Sequence, residues 1–396
     1  MLLTDWEGFC MKTIKQAGYY SVILLQRLMS FFPIDFHKVF VINHYGKGYG
    51  DNGRYIIEAL YEEDPSYQVV WPIRKEIERA GFPSNVKVVP YYSLSFFYHL
   101  MTAGIRISNV RLPWFLKKRK EQYYIQCWHG SNALKCVEKD VIDVLSDRYV
   151  KSAILDARNS DLMVSNSRWW TSLIRRSFWY DGEILDCGTP RLRAIYQDRE
   201  KNRIKFLQEN GLTEDTKLLL YAPTFRADFK LNHYTLDYEE VLNSCEEHFG
   251  GNWVAGIRLH PNLKGHIDYS KEDCELLDLT DYPDIYEIMA STDLLITDYS
   301  GIMFEAGVAG IKVLLYADDV DEYTKDRGFY FDIRSLPYPL AETTAQAVKI
   351  INEWNEEQYQ EENKEFEDNL GIKEDGTGAK VIAKRIVEYN QQRSTN

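Results

Sequence analysis

From His37 onward, short apolar runs alternate with stretches in which apolar residues recur at helical spacing. KVFVIN (38–43), NVKVV (85–89), IRISN (105–109), YYIQCW (123–128), DLMVSNS (161–167) and EILDCG (183–188) form one set of predicted strands. KLLLYAPT (217–224), WVAGIRLH (253–260), LLDLT (276–280), DLLITD (293–298) and IKVLLY (311–316) form another. Between the runs lie helical patterns such as NGRYIIEALYEE (52–63) and YPDIYEIMAS (282–291). Strand and helix in alternation predict parallel sheets covered on both faces. Two sets in series predict an α/β chain of two doubly wound, Rossmann-like domains facing a cleft. The polar stretch Thr189 to Asn210 marks the seam. The expected division is 1–35 as an N-terminal apolar helix, 36–195 as the first domain, and 196–396 as the second domain with C-terminal helices.

The segment Gln16 to Ile34, QAGYYSVILLQRLMSFFPI, is the most apolar of the chain. Asp5 and Glu7 precede it, Gln26 and Arg27 interrupt it, and no small-residue cleavage site follows, so it fits neither a secretory signal nor a membrane span. Two readings remain: a helix lying in a bilayer surface, or a helix packed on its own protein. RLPWFLKKRK (Arg111 to Lys120) mixes basic and aromatic residues; it reads either as a solvated loop or as a patch that cooperates with that helix on anionic lipid.

At 396 residues the chain is long enough for two cores, and its 45% apolar content supports them. With 47 basic against 60 acidic side chains the net charge is -13, which argues against general affinity for nucleic acid, so any anion site must be local. Six cysteines occur without paired spacing, so neither a zinc site nor a disulfide framework is indicated and a reducing compartment fits best.

Ligands of open parallel sheets sit beyond the carboxyl ends of the strands. His129 follows YYIQCW directly and His260 follows WVAGIRL, so each domain presents one histidine at a strand end. Asp298 and Ser300 follow LLIT, and Gly301 opens a helix, a turn suited to a phosphate. A plain N-cap serine reads the same way. GKGYGDNG (Gly46 to Gly53) matches neither dinucleotide nor P-loop spacing and is taken as a flexible cleft wall near an acceptor. DDVD (Asp318 to Asp321) has a metal-holding spacing but no histidine beside it, and is taken as a solvated loop; no metal and no cofactor is expected.

Five motifs, YYIQCWHGSNALK, YAPTFR, IRLHP, LLITDYSGIMFEA and RGFYFD, occur in an order that resembles the CDP-glycerol glycerophosphotransferases of teichoic-acid synthesis. The resemblance covers roughly Lys38 to Asp332. It implies a glycosyltransferase-B type fold, with the donor nucleotide on the C-terminal half and the acceptor on the N-terminal half. It further implies transfer of a polyol phosphate, glycerol phosphate foremost, from a CDP-activated donor (CDP-glycerol or CDP-ribitol) to a lipid-linked saccharide. The reaction would release CMP at the cytoplasmic membrane face. The alternatives are a ribitol-phosphate enzyme and a nucleotide-sugar glycosyltransferase of the same fold.

By that resemblance the functional histidines are His129 and His260. His129 suits the base for the attacking hydroxyl, because an imidazole titrates near neutrality. His260 and Arg258 suit the donor phosphates, and Arg226 can add a forked pair of donors. Ser300 and Gly301 would complete the phosphate cradle, Glu305 would take ribose hydroxyls and Lys135 would assist. Thr297 and Asp298 of the same motif count among the substrate-binding positions. The chain departs from the common pattern in HGSNALK, which lacks a proline after the glycine, and in DYSG, which lacks a second serine.

Overall fold

The computed structural model describes residues 18–79, 81–224, 226, 236–259, 276–326 and 328–394. The predicted α/β architecture is present. The first sheet contains β1 (Asp35–Ile42), β2 (Gln68–Ile73), β3 (Val86–Pro90), β4 (Ala103–Ser108), β5 (Tyr123–Gln126), β6 (Leu162–Ser165) and β7 (Glu183–Asp186), in the order β3-β2-β1-β4-β5-β6-β7. The second contains β8 (Thr216–Ala222), β9 (Asn252–Ile257), β10 (Leu276–Asp278), β11 (Thr292–Thr297), β12 (Lys312–Tyr316) and β13 (Leu340–Ala341), in the order β10-β9-β8-β11-β12-β13. Every pairing between these strands is parallel. In each sheet the chain starts at the centre and works outward on both sides, so the strand order reverses beside β1 and β4, and beside β8 and β11. These are the places where open sheets leave a crevice.

The sequence pattern missed β2 and β13. QVVWPI contains Pro72, which cannot donate a ladder hydrogen bond and reads as a strand breaker. Its pairing with β1 ends at Val70, so Pro72 falls past the part of the strand where a donor toward β1 is needed. β13 has only two residues.

The last helix departs from the expected division at 195/196. Gly378–Ser394 returns to the first sheet. Its Asn390 Nδ2 donates to the Phe36 carbonyl at 2.6 Å, and Tyr389 stacks on Tyr123 of β5 with ring centroids 4.2 Å apart. The cause is apolar: Ile382, Ala383 and Ile386 are fully buried in the core that also holds Ile56 and Leu60 of the helix Asp51–Glu63. That core runs on through Leu192, Ala194 and Ile195 of the connection to Tyr286 and Met289 of the second half. The two sheets are thus joined by buried apolar surface.

Residues 18–29 are helical, and no helix among the described residues is long and apolar enough to cross a membrane. Gln26, which interrupts the apolar run, holds the helix to its own protein. Its Nε2 donates to the Phe115 carbonyl at 2.9 Å and its Oε1 accepts from the Lys117 amide at 2.8 Å. Tyr19 packs on Trp114 and Phe115. The segment Arg111 to Lys120 is therefore not a solvated loop: Leu112, Phe115 and Leu116 are buried. The opposite side of the helix leaves Tyr20, Leu24 and Leu28 exposed, and Phe31 just beyond it is 85% exposed.

Candidate active site

The carboxyl ends of β1, β4 and β5 meet at one place. His44 follows β1, Asn109 follows β4 and His129 follows β5. Asn109 brackets both histidines: its side-chain oxygen accepts from the His44 amide at 2.9 Å, and its carbonyl lies 2.9 Å from His129 Nδ1. A carbonyl can only accept, so Nδ1 carries the proton and Nε2 is left with its lone pair. Trp128 stacks on the His129 ring with centroids 4.4 Å apart, and the His44 ring meets it edge-on at 5.8 Å. One face of His129 stays open to a cavity of about 270 Å³, lined also by His44, Tyr45, Lys47, Arg111 and Tyr149.

Crowding by surrounding protein, and after it the neighbouring His44, push the His129 imidazole down to about 4. The direction runs below the near-neutral titration expected from the sequence and favours the neutral ring, which keeps its basic nitrogen available. Titration of isotope-labelled histidine by NMR is expected to place the resonance absent from His129→Ala near pH 4. A midpoint between 6 and 7 would contradict the crowded, neutral ring.

The glycine-rich segment after β1 is pinned rather than flexible. Gly46 N donates to the Asn43 carbonyl at 2.7 Å, and both Asn43 Nδ2 and Trp71 Nε1 donate to the Gly48 carbonyl at 3.0 Å. Gly46 has φ +89°, and a Cβ there would come within 2.9 Å of Tyr91, so the turn requires glycine.

Beneath His129 lies a buried network that spans both halves. Arg191, in the connection, pairs with Asp51 at 2.7 Å and with Glu305 at 2.6 Å, and donates to the His129 carbonyl at 3.1 Å. Burial alone would raise the Asp51 carboxyl, but Arg191 and the hydrogen bond with His44 hold it well below the usual range. Glu305 also accepts from the Tyr286 hydroxyl and, at 3.4 Å, from Ser131 Oγ. Both Glu305 oxygens are thus engaged and the side chain is buried, so it joins the two halves through Arg191.

Arg226 is likewise committed. It forks onto Asp319, with Nε at 2.7 Å and Nη2 at 3.1 Å, its Nη1 reaches Asp298 at 2.8 Å, and its guanidinium lies 4.8 Å from the ring centroids of both Tyr299 and Tyr323, which stack on each other. These contacts place the expected donor-phosphate residue in an ion-pair cluster with Asp319 and Asp298. Asp319 of DDVD is therefore an ion-pair partner, correcting the solvated-loop reading. Asp298 accepts from the Thr224 amide at 2.9 Å, and Thr297 Oγ1 donates to the Ala222 carbonyl at 2.7 Å, so both hold β8 to β11. Lys135 Nζ donates to Tyr323 at 2.7 Å, beside an antiparallel bridge from Lys135 to Phe329 that ties the His129 loop to the second half.

Arg258 Nη1 donates to the carbonyls of Leu279 and Tyr282 at 2.9 and 2.7 Å, fixing the turn before the helix Ile285–Ser291. Ser300 is half-buried and Gly301 exposed where the helix Ile302–Val308 begins. A Cβ on Gly301 would stand 3.4 Å from the Asn132 carbonyl, so the HGSN and DYSG turns face each other. His260 lies outside the described residues. Among the described residues no group of histidine, cysteine and carboxylate side chains has metal-holding geometry. A cavity of about 740 Å³, lined by Tyr338, Trp354 and Gln358 among others, contains none of the predicted residues.

Sequence reasoning missed His44, Asn109 and Arg191. The strand-end rule that selected His129 applies equally to His44 and Asn109. Arg191 carried no local signal, since its partners are 140 and 114 positions away.

Residues 24–388 match the family model described as CDP-Glycerol:Poly(glycerophosphate) glycerophosphotransferase. The chain is 28% identical over 354 residues to the teichoic acid poly(glycerol phosphate) polymerase of Bacillus subtilis, covering 86% of this chain but 46% of that protein. It is 27% identical to the polymerase of the same name from Bacillus spizizenii, covering 93% and 96% of the two chains. It is also 27% identical to the teichoic acid glycerol-phosphate transferase of Staphylococcus aureus, covering 94% and 98%. The chain thus spans about half the length of one of these relatives and nearly all of the other two. A solved structure of the wall teichoic acid polymerase TagF superposes with a TM-score of 0.80 at 25% identity, covering 97% of each chain.

Proposed function

The chain belongs to the CDP-glycerol:poly(glycerophosphate) glycerophosphotransferase family, and from that premise we propose that it transfers a polyol phosphate, glycerol phosphate foremost, from a CDP-activated donor to a lipid-linked saccharide acceptor, releasing CMP. The observation that carries the reading is His129, neutral, with its proton fixed on Nδ1 and a bare Nε2 open to a cavity at the strand ends. In the transfer, the acceptor hydroxyl gives its proton to Nε2 as its oxygen attacks the distal phosphorus of the donor, and the bond to CMP breaks. The imidazolium so formed sits close to Asp51, whose charge favours it. His260, Arg258, Ser300 and Gly301 are the donor side of this proposal. Arg226 and Glu305 serve it indirectly, by holding the walls. The test is incorporation: purified protein, labelled CDP-glycerol or CDP-ribitol and liposomes carrying a lipid-linked saccharide should move label into the lipid fraction. Label that stays in the nucleotide pool with every acceptor counts against the reading.

The acceptor's lipid places the reaction at the cytoplasmic membrane face, with the protein bound peripherally. The exposed side of helix 18–29 supports this, with Leu24 58% and Leu28 53% exposed while its other side is packed on Phe115. Lys117 and Lys120 are exposed on the adjoining segment and would be drawn to anionic headgroups at about 1 kcal/mol per side chain. Because Gln26 anchors the helix, deleting it would also bare Phe115, so substitution is the cleaner test. Leu24→Asp with Leu28→Asp is expected to move the protein from the pellet to the supernatant of anionic liposomes, with turnover of a soluble acceptor analogue retained. Unchanged sedimentation would leave the helix a purely internal element.

A further inference from the structure

We propose that Asn132 is a specificity residue for the transferred group. Its side-chain amide accepts from the hydroxyl on the carbon next to the phosphate-bearing carbon of the donor polyol, and donates to an oxygen of the phosphate in transfer. This rests on the transferase reading above and adds a substrate class: CDP-activated alcohols that carry such a hydroxyl, in preference to those with a plain alkyl carbon at that place.

Asn132 is only 5% exposed, yet its Oδ1 is buried with no hydrogen-bond partner, and its Nδ2 makes no hydrogen bond among the described residues. A primary amide offers two donors and an acceptor oxygen, and in folded proteins buried groups of this kind find partners. The residues around it are fully engaged. Ser131 Oγ donates to Glu305 at 3.4 Å, the Tyr330 amide donates to the Leu134 carbonyl at 2.8 Å, and Lys135 forms its antiparallel bridge with Phe329. The turn is thus tied to the second half on both sides of Asn132. The open amide is held in place before substrate arrives, which is what selective recognition requires.

Its position identifies the ligand. Asn132 follows His129 in the same turn, and its carbonyl stands 3.4 Å from the place a Cβ on Gly301 would take. It therefore lies where the loop of the base meets the Ser300–Gly301 turn of the donor side. The phosphorus under attack and the polyol it carries belong at that junction, whereas the cytosine is removed by a further phosphate and a ribose. The group at the junction offers phosphoryl oxygens, which only accept, and polyol hydroxyls, which can donate. One amide answers both, Nδ2 to the phosphoryl oxygen and Oδ1 to the hydroxyl. Glycerol and ribitol both carry a hydroxyl on the carbon next to the ester carbon, so the contact serves either polyol. An alkyl or aminoethyl chain has none there, and leaves Oδ1 buried without a donor, which is how a polar site rejects an analogue.

The test compares two donors on the full-length protein with a liposomal lipid-linked acceptor: whichever of CDP-glycerol and CDP-ribitol turns over, and its analogue lacking that one hydroxyl. The unmodified protein should favour the hydroxyl-bearing donor in kcat/KM by roughly tenfold or more. In Asn132→Leu, which keeps the shape of the side chain, both donors lose the phosphate contact and only one loses the second, so the ratio between them should fall to near one. Affinity for CMP, by calorimetric titration, should stay near wild type. The denaturation midpoint should hold or rise, because the change removes a buried amide that has no partner. Equal losses with both donors, weaker CMP binding or a lower midpoint in Asn132→Leu would each overturn the proposal. So would the absence of any preference in the unmodified protein, a result that needs no variant. CMP formed from both donors at one rate sinks the role of Asn132 alone, whereas no CMP from any donor sinks the transferase reading and this role with it.

Discussion

His129→Ala is expected to slow transfer by roughly 10² to 10⁴ while leaving the affinity for the CDP donor largely intact, the loss being that of a positioned general base. The expectation follows from the hydrogen bond to the Asn109 carbonyl, which assigns the proton to Nδ1 and leaves Nε2 as the basic atom on the acceptor side of the cleft. His129→Gln keeps a polar group of similar reach but no base, and should be as slow as the alanine variant. Steady-state rates together with calorimetric titration of CDP-glycerol separate the two effects. Near wild-type turnover in either variant, or a loss explained by donor affinity alone, would remove His129 from the base role.

Arg191→Ala is expected to produce the largest loss of stability of any single change near the site, about 3 to 5 kcal/mol, because it leaves the buried Glu305 and the partly buried Asp51 as uncompensated charges. It should also disturb His44, whose ring leans on Asp51, and the loop of His129, whose carbonyl accepts from Arg191. Arg191→Lys retains the charge but not the fork that reaches both carboxylates, and should fall between the two. The denaturation midpoint measures the effect, and removing both acids in the triple variant Asp51→Asn, Glu305→Gln, Arg191→Met should recover much of it. A midpoint for Arg191→Ala close to wild type would mean that the network does not bind the two halves.

The two sheets were legible because their strands are short apolar runs separated by helical periods, a pattern fixed by burial on both faces. What escaped was set by tertiary context. Pro72 hid β2, although it lies where β1 no longer pairs. The C-terminal helix was grouped with the nearer domain in sequence, whereas Ile382 and Ile386 find their core on the first sheet. His129 was legible from its place at a strand end, and its protonation was not, since crowding and His44 decide it. Arg226, Asp298 and Glu305 were correctly seen as charged groups at strand ends and helix starts. Their partners are Asp319 and Arg191, and no local pattern reveals that charges so far apart in the chain will satisfy one another.

The central claim is that this cleft transfers a polyol phosphate and lets CMP go, and the identity of the nucleotide product tests it most directly. With CDP-glycerol or CDP-ribitol and a liposomal lipid-linked acceptor, chromatography should show CMP formed in step with polyol phosphate entering the lipid, and neither product in His129→Ala. Release of a nucleoside diphosphate from a sugar nucleotide, with no CMP from either CDP-polyol, would contradict the account and assign the fold to sugar transfer instead.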